Sequence, residues 1–292
     1  MSDFPSWVQI PLSQWIDSGM HWVLTHWAAF FDAIGEFFLH VMLPIERFLL
    51  WLPWWVVVLF VGIVAWRVMR SWIAGIVMMA FLFLIGSFGH STGASYWDAA
   101  MSTLAIVIAS VIISLIIGIP TGIFMATSQK FERIIRPILD AMQTMPSFVY
   151  LIPALMLFGL GMVPAVFATI IYAAPPVIRL TNVGIRQVAP TVVEAAQAFG
   201  SSKRQILFEV QIPLAIPSIM VGINQTTMMA LAMVVIASMI GARGLGLEVL
   251  LAINRIEIGR GFEAGLSIVL LAIIIDRITN AMAARQQYDL NR

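Results

Sequence analysis

The 292-residue chain contains no cysteine. That absence removes disulfide frameworks, thiolate nucleophiles and cysteine-ligated zinc sites together, and leaves the redox compartment unread. Charge is scarce as well: Asp, Glu, Lys and Arg make up 11% of the residues, against about a quarter in an ordinary soluble domain. Net charge is +1 and no basic run of the kind that grips nucleic acid occurs, which excludes that partner. Lysine stands only at Lys130 and Lys203, and neither lies in a Gly-x-x-x-x-Gly-Lys-Ser/Thr loop, so this chain has no site of its own for ATP hydrolysis. Histidine stands at His21, His26, His40 and His90, without the His-Glu-x-x-His spacing of a helix-borne zinc protease. No catalytic residue, metal site or bound cofactor is expected. The start, Met1 to Pro5, has no basic n-region and no small-residue cleavage site follows it, so no removable signal peptide is expected. Short repeats, low-complexity tracts and Pro/Gly/Ser linkers are missing too, which points to one membrane domain.

What is there is apolar: 61% of the residues are hydrophobic and mean hydropathy is +0.96. Lipid is therefore the solvent for most of the chain. Stretches of about 18 or more apolar residues span a ~30 Å hydrocarbon core as helices, and seven are read: Leu49 to Trp66, Ser71 to Phe88, Ala99 to Ala126, Ile138 to Leu160, Met162 to Ile178, Ile216 to Ile240 and Leu266 to Met282. Residues 14–42 are apolar at helical spacing, but Asp17, His21, Asp32, Glu36 and His40 spoil them as a span. They read as an amphipathic helix lying on the membrane surface, with an eighth span as the alternative. The expected fold is an all-α polytopic membrane protein of about seven transmembrane helices plus that N-terminal interfacial helix. Residues 1–48 form an external segment and 49–292 the membrane domain.

Cytoplasmic loops retain Lys and Arg. Placing the polar insert Arg179 to Ala215 inside puts 12 basic residues inside, Arg67, Arg70, Lys130, Arg133, Arg136, Arg179, Arg186, Lys203, Arg204, Arg277, Arg285 and Arg292, against Arg47, Arg243, Arg255 and Arg260 outside. The N-terminus is then outside and the C-terminus inside. Trp51, Trp54 and Trp55 would line the outer interface and Trp66 and Trp72 the inner one, where indoles settle.

Within the insert, Thr191 followed by Glu194 reads as a capping box that starts a helix, and Gly200 as its φ > 0 stop. Ser202 with Gln205 starts a second helix in the same way. An ordinary helical hairpin loop would look similar. The full spacing is more specific: Glu194-Ala195-Ala196, three residues, Gly200, nine residues, then Val210-x-Ile212-Pro213. It resembles the "EAA loop" of ABC importer permeases, whose usual ending is Ile-x-Leu-Pro. Met142 to Pro153, Gly241-Ala-Arg243-Gly-Leu-Gly246 and Ile258 to Gly265 are similar to the glycine betaine/proline betaine branch of that family, over roughly Tyr96 to Arg285. The first hundred residues share only the general layout.

The resemblance implies a type I importer permease in a bacterial inner (cytoplasmic) membrane. It implies a homodimer with a second permease copy, two copies of an ABC ATPase subunit that uses the ATP, and a separate soluble binding protein. The carried solute would be glycine betaine, proline betaine, choline or carnitine. The stretch 190–213 would be the coupling loop seated in the ATPase: Ala195 and Ala196 allow close approach, Gly200 the turn, Glu194 suits the helix N-terminus, and Lys203 and Arg204 suit acidic groups on the partner. Candidate pathway residues are Phe148 and Tyr150, beside the helix-interrupting Pro146 and Pro153, and the polar cluster Asn224, Gln225, Thr226 and Thr227. An ion-coupled secondary transporter is the rival class, but Asp140 and Asp276 are the only acids in or near the spans. Both read as lying near cytoplasmic ends, Asp276 paired with Arg277 or capping the helix.

Overall fold

The computed structural model describes residues 11–89 and 96–290, with side chains as far as Ala284. The first residues, Met1 to Pro5, and His90 and Arg292 lie outside the described residues, as does the side chain of Arg285. Among the described residues all regular structure is helical. Five helices are long and apolar enough to cross a membrane: α1 (Leu12–Trp51), α4 (Tyr96–Thr127), α7 (Met162–Arg186), the run from Lys203 to Ile240, and Ile258 to Ala284 of α12 (Ile258–Leu290). The others are α2 (Trp54–Met69), α3 (Trp72–Ser87), α5 (Gln129–Thr144), α6 (Leu151–Phe158), α8 (Pro190–Ala198) and α11 (Leu245–Arg255). The Lys203 to Ile240 run comprises α9 (Lys203–Gln205), a π-helical turn at Ile206–Gln211, α10 (Ile212–Ala237) and a 3₁₀ turn.

Two expected spans are corrected. Leu49 to Trp66 is not one helix: Leu49 to Trp51 end α1, Pro53 stands at the break, and α2 begins at Trp54. Proline has no N–H for a helical bond and disfavours helix at the residue before it, so the chain turns there. Ile138 to Leu160 is not one helix either. It is divided between α5, a 3₁₀ turn at Ser147–Tyr150 and α6, and the two helical arms meet at 112°. Pro146 again supplies the break. The α2 and α3 helices are 16 residues each, about 24 Å long. They form an antiparallel hairpin through Arg70 in the left-handed conformation, and Ser71 caps α3 by accepting from the Ala74 amide.

The core is α7 held between α4 and α10. Ser110, Ser114, Gly118 and Gly122 repeat every four residues on α4 and are all buried. A Cβ on Gly118 would lie 2.6 Å from Val177, and one on Gly122 2.6 Å from the Ile178 carbonyl. Only hydrogen on these two positions lets the helix backbones meet so closely. Lipid tails are as apolar as leucine, so such dispersion contact, rather than exclusion of water, holds membrane helices together.

Long-range bonds order the two ends of the bundle. Arg186 on α7 donates to the Met125 carbonyl at the close of α4, so these helices finish together at the α8 end. At the opposite end the Gly161 amide donates to the Ile240 carbonyl, Leu245 N–H to Thr103 Oγ1, and Tyr96 O–H to the Arg260 carbonyl. Arg260 is nearly buried there, 2.7 Å from Glu248 and 3.2 Å from Glu257. The glycine-rich Gly241 to Gly246 string therefore seats α11 on α4. The α1 helix leaves the body over residues 12–30, which are mostly exposed, and then packs through Phe31, Phe38 and Glu46. Their partners are Phe158, Phe167 and Ser102, all close to that same opposite end.

Candidate functional site

The insert folds as the helix, glycine turn and helix that its sequence suggests, projecting from the body. Helix α8 buries none of its residues. Its start is corrected: no Thr191–Glu194 capping box forms. Pro190 takes the first helical position and Ala189 is the N-cap, with no side-chain hydrogen bond. A proline fixed near φ −65° and lacking an N–H fits that first position better than a cap does, which leaves Glu194 exposed a turn further on. The stop is as expected. Gly200 has φ +84°, its amide donates to Gln197 O, and Ser201 N–H to Ala196 O, the paired bonds of a Schellman ending. Ser202 then makes a full capping box with Gln205, and the helix runs through the π turn into α10 without a break in direction large enough to end it.

On this loop Ala195 is exposed and Ala196 half-buried, and neither is part of the buried core. Lys203 and Arg204 are exposed and pair with no carboxylate among the described residues. Phe199, which sequence reasoning passed over, is 91% exposed at the tip, flanked by exposed Val192 and Phe208. The available signal was an aromatic residue directly before the stop glycine of a polar loop. Elsewhere at this end three arginines are paired: Glu132 holds Arg186 at 2.6 Å and Arg136 at 2.9 Å, and Asp140 holds Arg179 at 2.7 Å.

The expected pathway residues do not form one group. Tyr150 is buried, its hydroxyl donates to the Met142 carbonyl across the 112° bend, and its ring meets Tyr172 edge-on at 5.9 Å. Phe148 points away and is exposed. On α10, Thr226 is buried with no hydrogen-bond partner among the described residues, Gln225 is exposed, and Thr227 donates to its own helix at Ile223 O. Asn224 turns toward α12: its Nδ2 donates to Asp276 Oδ1 at 3.3 Å, and Thr279 Oγ1 donates to its Oδ1. Asp276 is corrected too. It makes no ion pair with Arg277, and it also accepts from Asn280 Nδ2 at 2.7 Å. Asn224 lies halfway along α10, so Asp276 sits at the depth of the core and caps no helix end.

Residues 118–288 match the family described as "Binding-protein-dependent transport system inner membrane component". The chain belongs to this family. It is 44% identical, over 97% of its length and 78% of the relative's, to the "Glycine betaine/proline betaine transport system permease protein ProW" of Escherichia coli (strain K12). It is 43% identical to the "Glycine betaine transport system permease protein OpuAB" of Bacillus subtilis (strain 168), over 96% of each chain. A solved structure described as an inward-facing conformation of the MetNI methionine ABC transporter superposes with TM-score 0.55. That match covers 64% of this chain and 92% of that one, at 22% identity, and it supports the fold alone. The family's matched stretch takes in the whole 190–213 loop, helices α7 to α11 and α12 as far as residue 288. The chain is thus a membrane transport permease subunit with the type I importer fold.

Proposed function

We propose that this chain is the translocating subunit of an ATP-driven importer of glycine betaine, proline betaine or a related quaternary ammonium compound. The observation that carries this reading is the projecting loop of residues 190–213. It presents a bare helix, two unpaired cations and a 91% exposed phenylalanine, and uses none of them inside the chain. An aromatic ring left in water beside free charges is a docking surface awaiting a partner. The partner is the ATPase subunit, two copies per transporter, acting on two copies of this chain. Closure of the ATPases on ATP moves the two loops together, and the rigid Ser202-capped helix carries that movement into α10. Solute arrives from a soluble binding protein at the opposite, outer end. The relatives named above support the substrate class.

The loop end is read as cytoplasmic because Arg67, Arg70, Lys130, Arg133, Arg136, Arg179, Arg186, Lys203 and Arg204 gather toward it. The α1 helix is read as lying on the outer surface, because its ring contacts fall on Phe158 and Phe167 near the outer ends of α6 and α7.

Reconstitution tests the proposal. Uptake of labelled betaine into vesicles holding the whole complex is expected to require internal ATP, to survive collapse of proton and sodium gradients, and to stop when the ATPase is omitted. Uptake by this chain alone under an imposed ion gradient would place it in the rival class.

A further inference from the structure

Asp276 is a carboxylate at core depth without a cation. The level is set by packing: Gly222, two residues before Asn224, lies against Pro176 and Val177, past the midpoint of α7. Asn224 and Asn280 both donate to Asp276 Oδ1, while Oδ2 accepts nothing among the described residues. The neighbouring Arg277 stands about 100° further round the helix and makes no ion pair among the described residues.

The side chains around it are open. Asp276 is half-buried, and Asn280, which donates to it, is exposed. The middle of α4 looks different: from Ala99 to Ala126 its exposed residues are Ile112, Ile116, Ile117, Pro120 and Phe124, all apolar. A carboxylate without a cation, bonded to the exposed Asn280 amide, is too costly to turn toward hydrocarbon, and such groups in membrane proteins face the bundle interior or a water-filled path. The Thr279 hydroxyl and the two amides also fix the carboxylate's orientation, so that one oxygen is held and the other is left outward.

We infer that Asp276, oriented by Asn224 and Asn280, lines the aqueous translocation cavity and is the counter-ion for the quaternary ammonium group of the passing solute. The inference rests on the importer reading and deepens it. A quaternary ammonium carries no N–H, so it cannot be recognised by hydrogen bonds. Diffuse attraction to a negative charge or to an aromatic face is what remains. A carboxylate whose Oδ1 is already satisfied offers that charge through Oδ2 without trapping the solute in a directional bond. Weak binding of this kind allows release as well as entry.

The absence of native cysteine makes the test clean. In the assembled complex with its ATPase, Asn280→Cys is treated with the trimethylammonium-ethyl and the sulfonato-ethyl methanethiosulfonates. The cationic reagent is expected to react at least tenfold faster than the anionic one, relative to their ratio on a free thiol in solution. Asp276→Asn in the same background is expected to abolish that preference. No reaction with either reagent, or a preference untouched by Asp276→Asn, overturns the proposal. This readout needs no transport, so it stands apart from failure of the importer reading, which would show as absent ATP-dependent uptake by the unaltered complex.

Uptake supplies the second measurement. Asp276→Asn keeps the acceptor oxygen for Asn224 and Asn280 and removes only the charge. With assembly on the ATPase unchanged, the KM for betaine is expected to rise tenfold or more. An unchanged KM would reduce Asp276 to a helix-packing residue. If Asp276→Asn does not assemble, the labelling of Asn280→Cys in the chain that keeps Asp276 decides.

Discussion

Gly200 and Phe199 sit side by side at the loop tip, yet they fail in different ways when changed. Gly200 occupies φ +84° with open space around it. A side chain there meets no neighbour, and the cost is backbone strain, about 1–2 kcal/mol for an L-residue and more for a β-branched one. Gly200→Val is therefore expected to reshape the turn and uncouple ATP hydrolysis from transport while the spans remain inserted. Phe199→Ala leaves the turn intact and removes an apolar anchor. Buried aromatic anchors at interfaces commonly contribute about 2 kcal/mol or more, so the permease is expected to hold its ATPase roughly 30-fold less tightly, measured by titrating detergent-purified subunits. Wild-type affinity in Phe199→Ala would show that the exposed ring is not an anchor. The glycine could be read from the sequence because positive φ has few other occupants. The phenylalanine could not, since an aromatic in a chain this apolar draws no notice until it is found in water.

At the scale of the element, apolar content and helix continuity part company. Residues 138–160 are apolar enough to read as one span, but Met145, Pro146 and Ser147 divide them, and the arms diverge by 112°. The first arm, α5, turns Phe131, Ile135, Leu139 and Met142 toward Met125, Ala174 and Ile178. Its opposite face carries the exposed Lys130 and Arg133, so a helical stripe is mixed into what seemed a uniform run. Tyr150 closes the bend through the Met142 carbonyl. Tyr150→Phe keeps the ring against Tyr172 and loses only that bond, so a loss of about 1 kcal/mol is expected. Thermal unfolding of the purified permease would check it, and an unchanged midpoint would mean the proline alone sets the angle. The α8 start carries the same lesson on a smaller scale. Thr191 and Glu194 have the right spacing for a capping box, but Pro190 is the better first helical residue and moves the N-cap two residues back, to Ala189.

For the whole molecule, the orientation is a prediction with a simple check. Single cysteines at Ser13, on α1, and at Ser201, beside the Gly200 turn, are unopposed by any native thiol. An impermeant thiol reagent is expected to modify Ser13→Cys in intact cells and Ser201→Cys only after permeabilisation. Labelling of Ser201→Cys in intact cells would reverse the orientation and with it the ATPase docking. By itself the sequence determined the class of solvent, the helical fold, the projecting loop and its Gly200 stop. These follow from composition and from local backbone preferences, which act over a few residues and survive any packing. Only the tertiary structure decided that Ile138 to Leu160 is bent, that Thr226 is buried while Gln225 beside it is exposed, and that Asp276 turns to Asn224 and not to Arg277. Those outcomes depend on which helices meet and at what depth, set by contacts such as Gly118 on Val177. Residues 59 apart in the chain carry no local mark of that meeting.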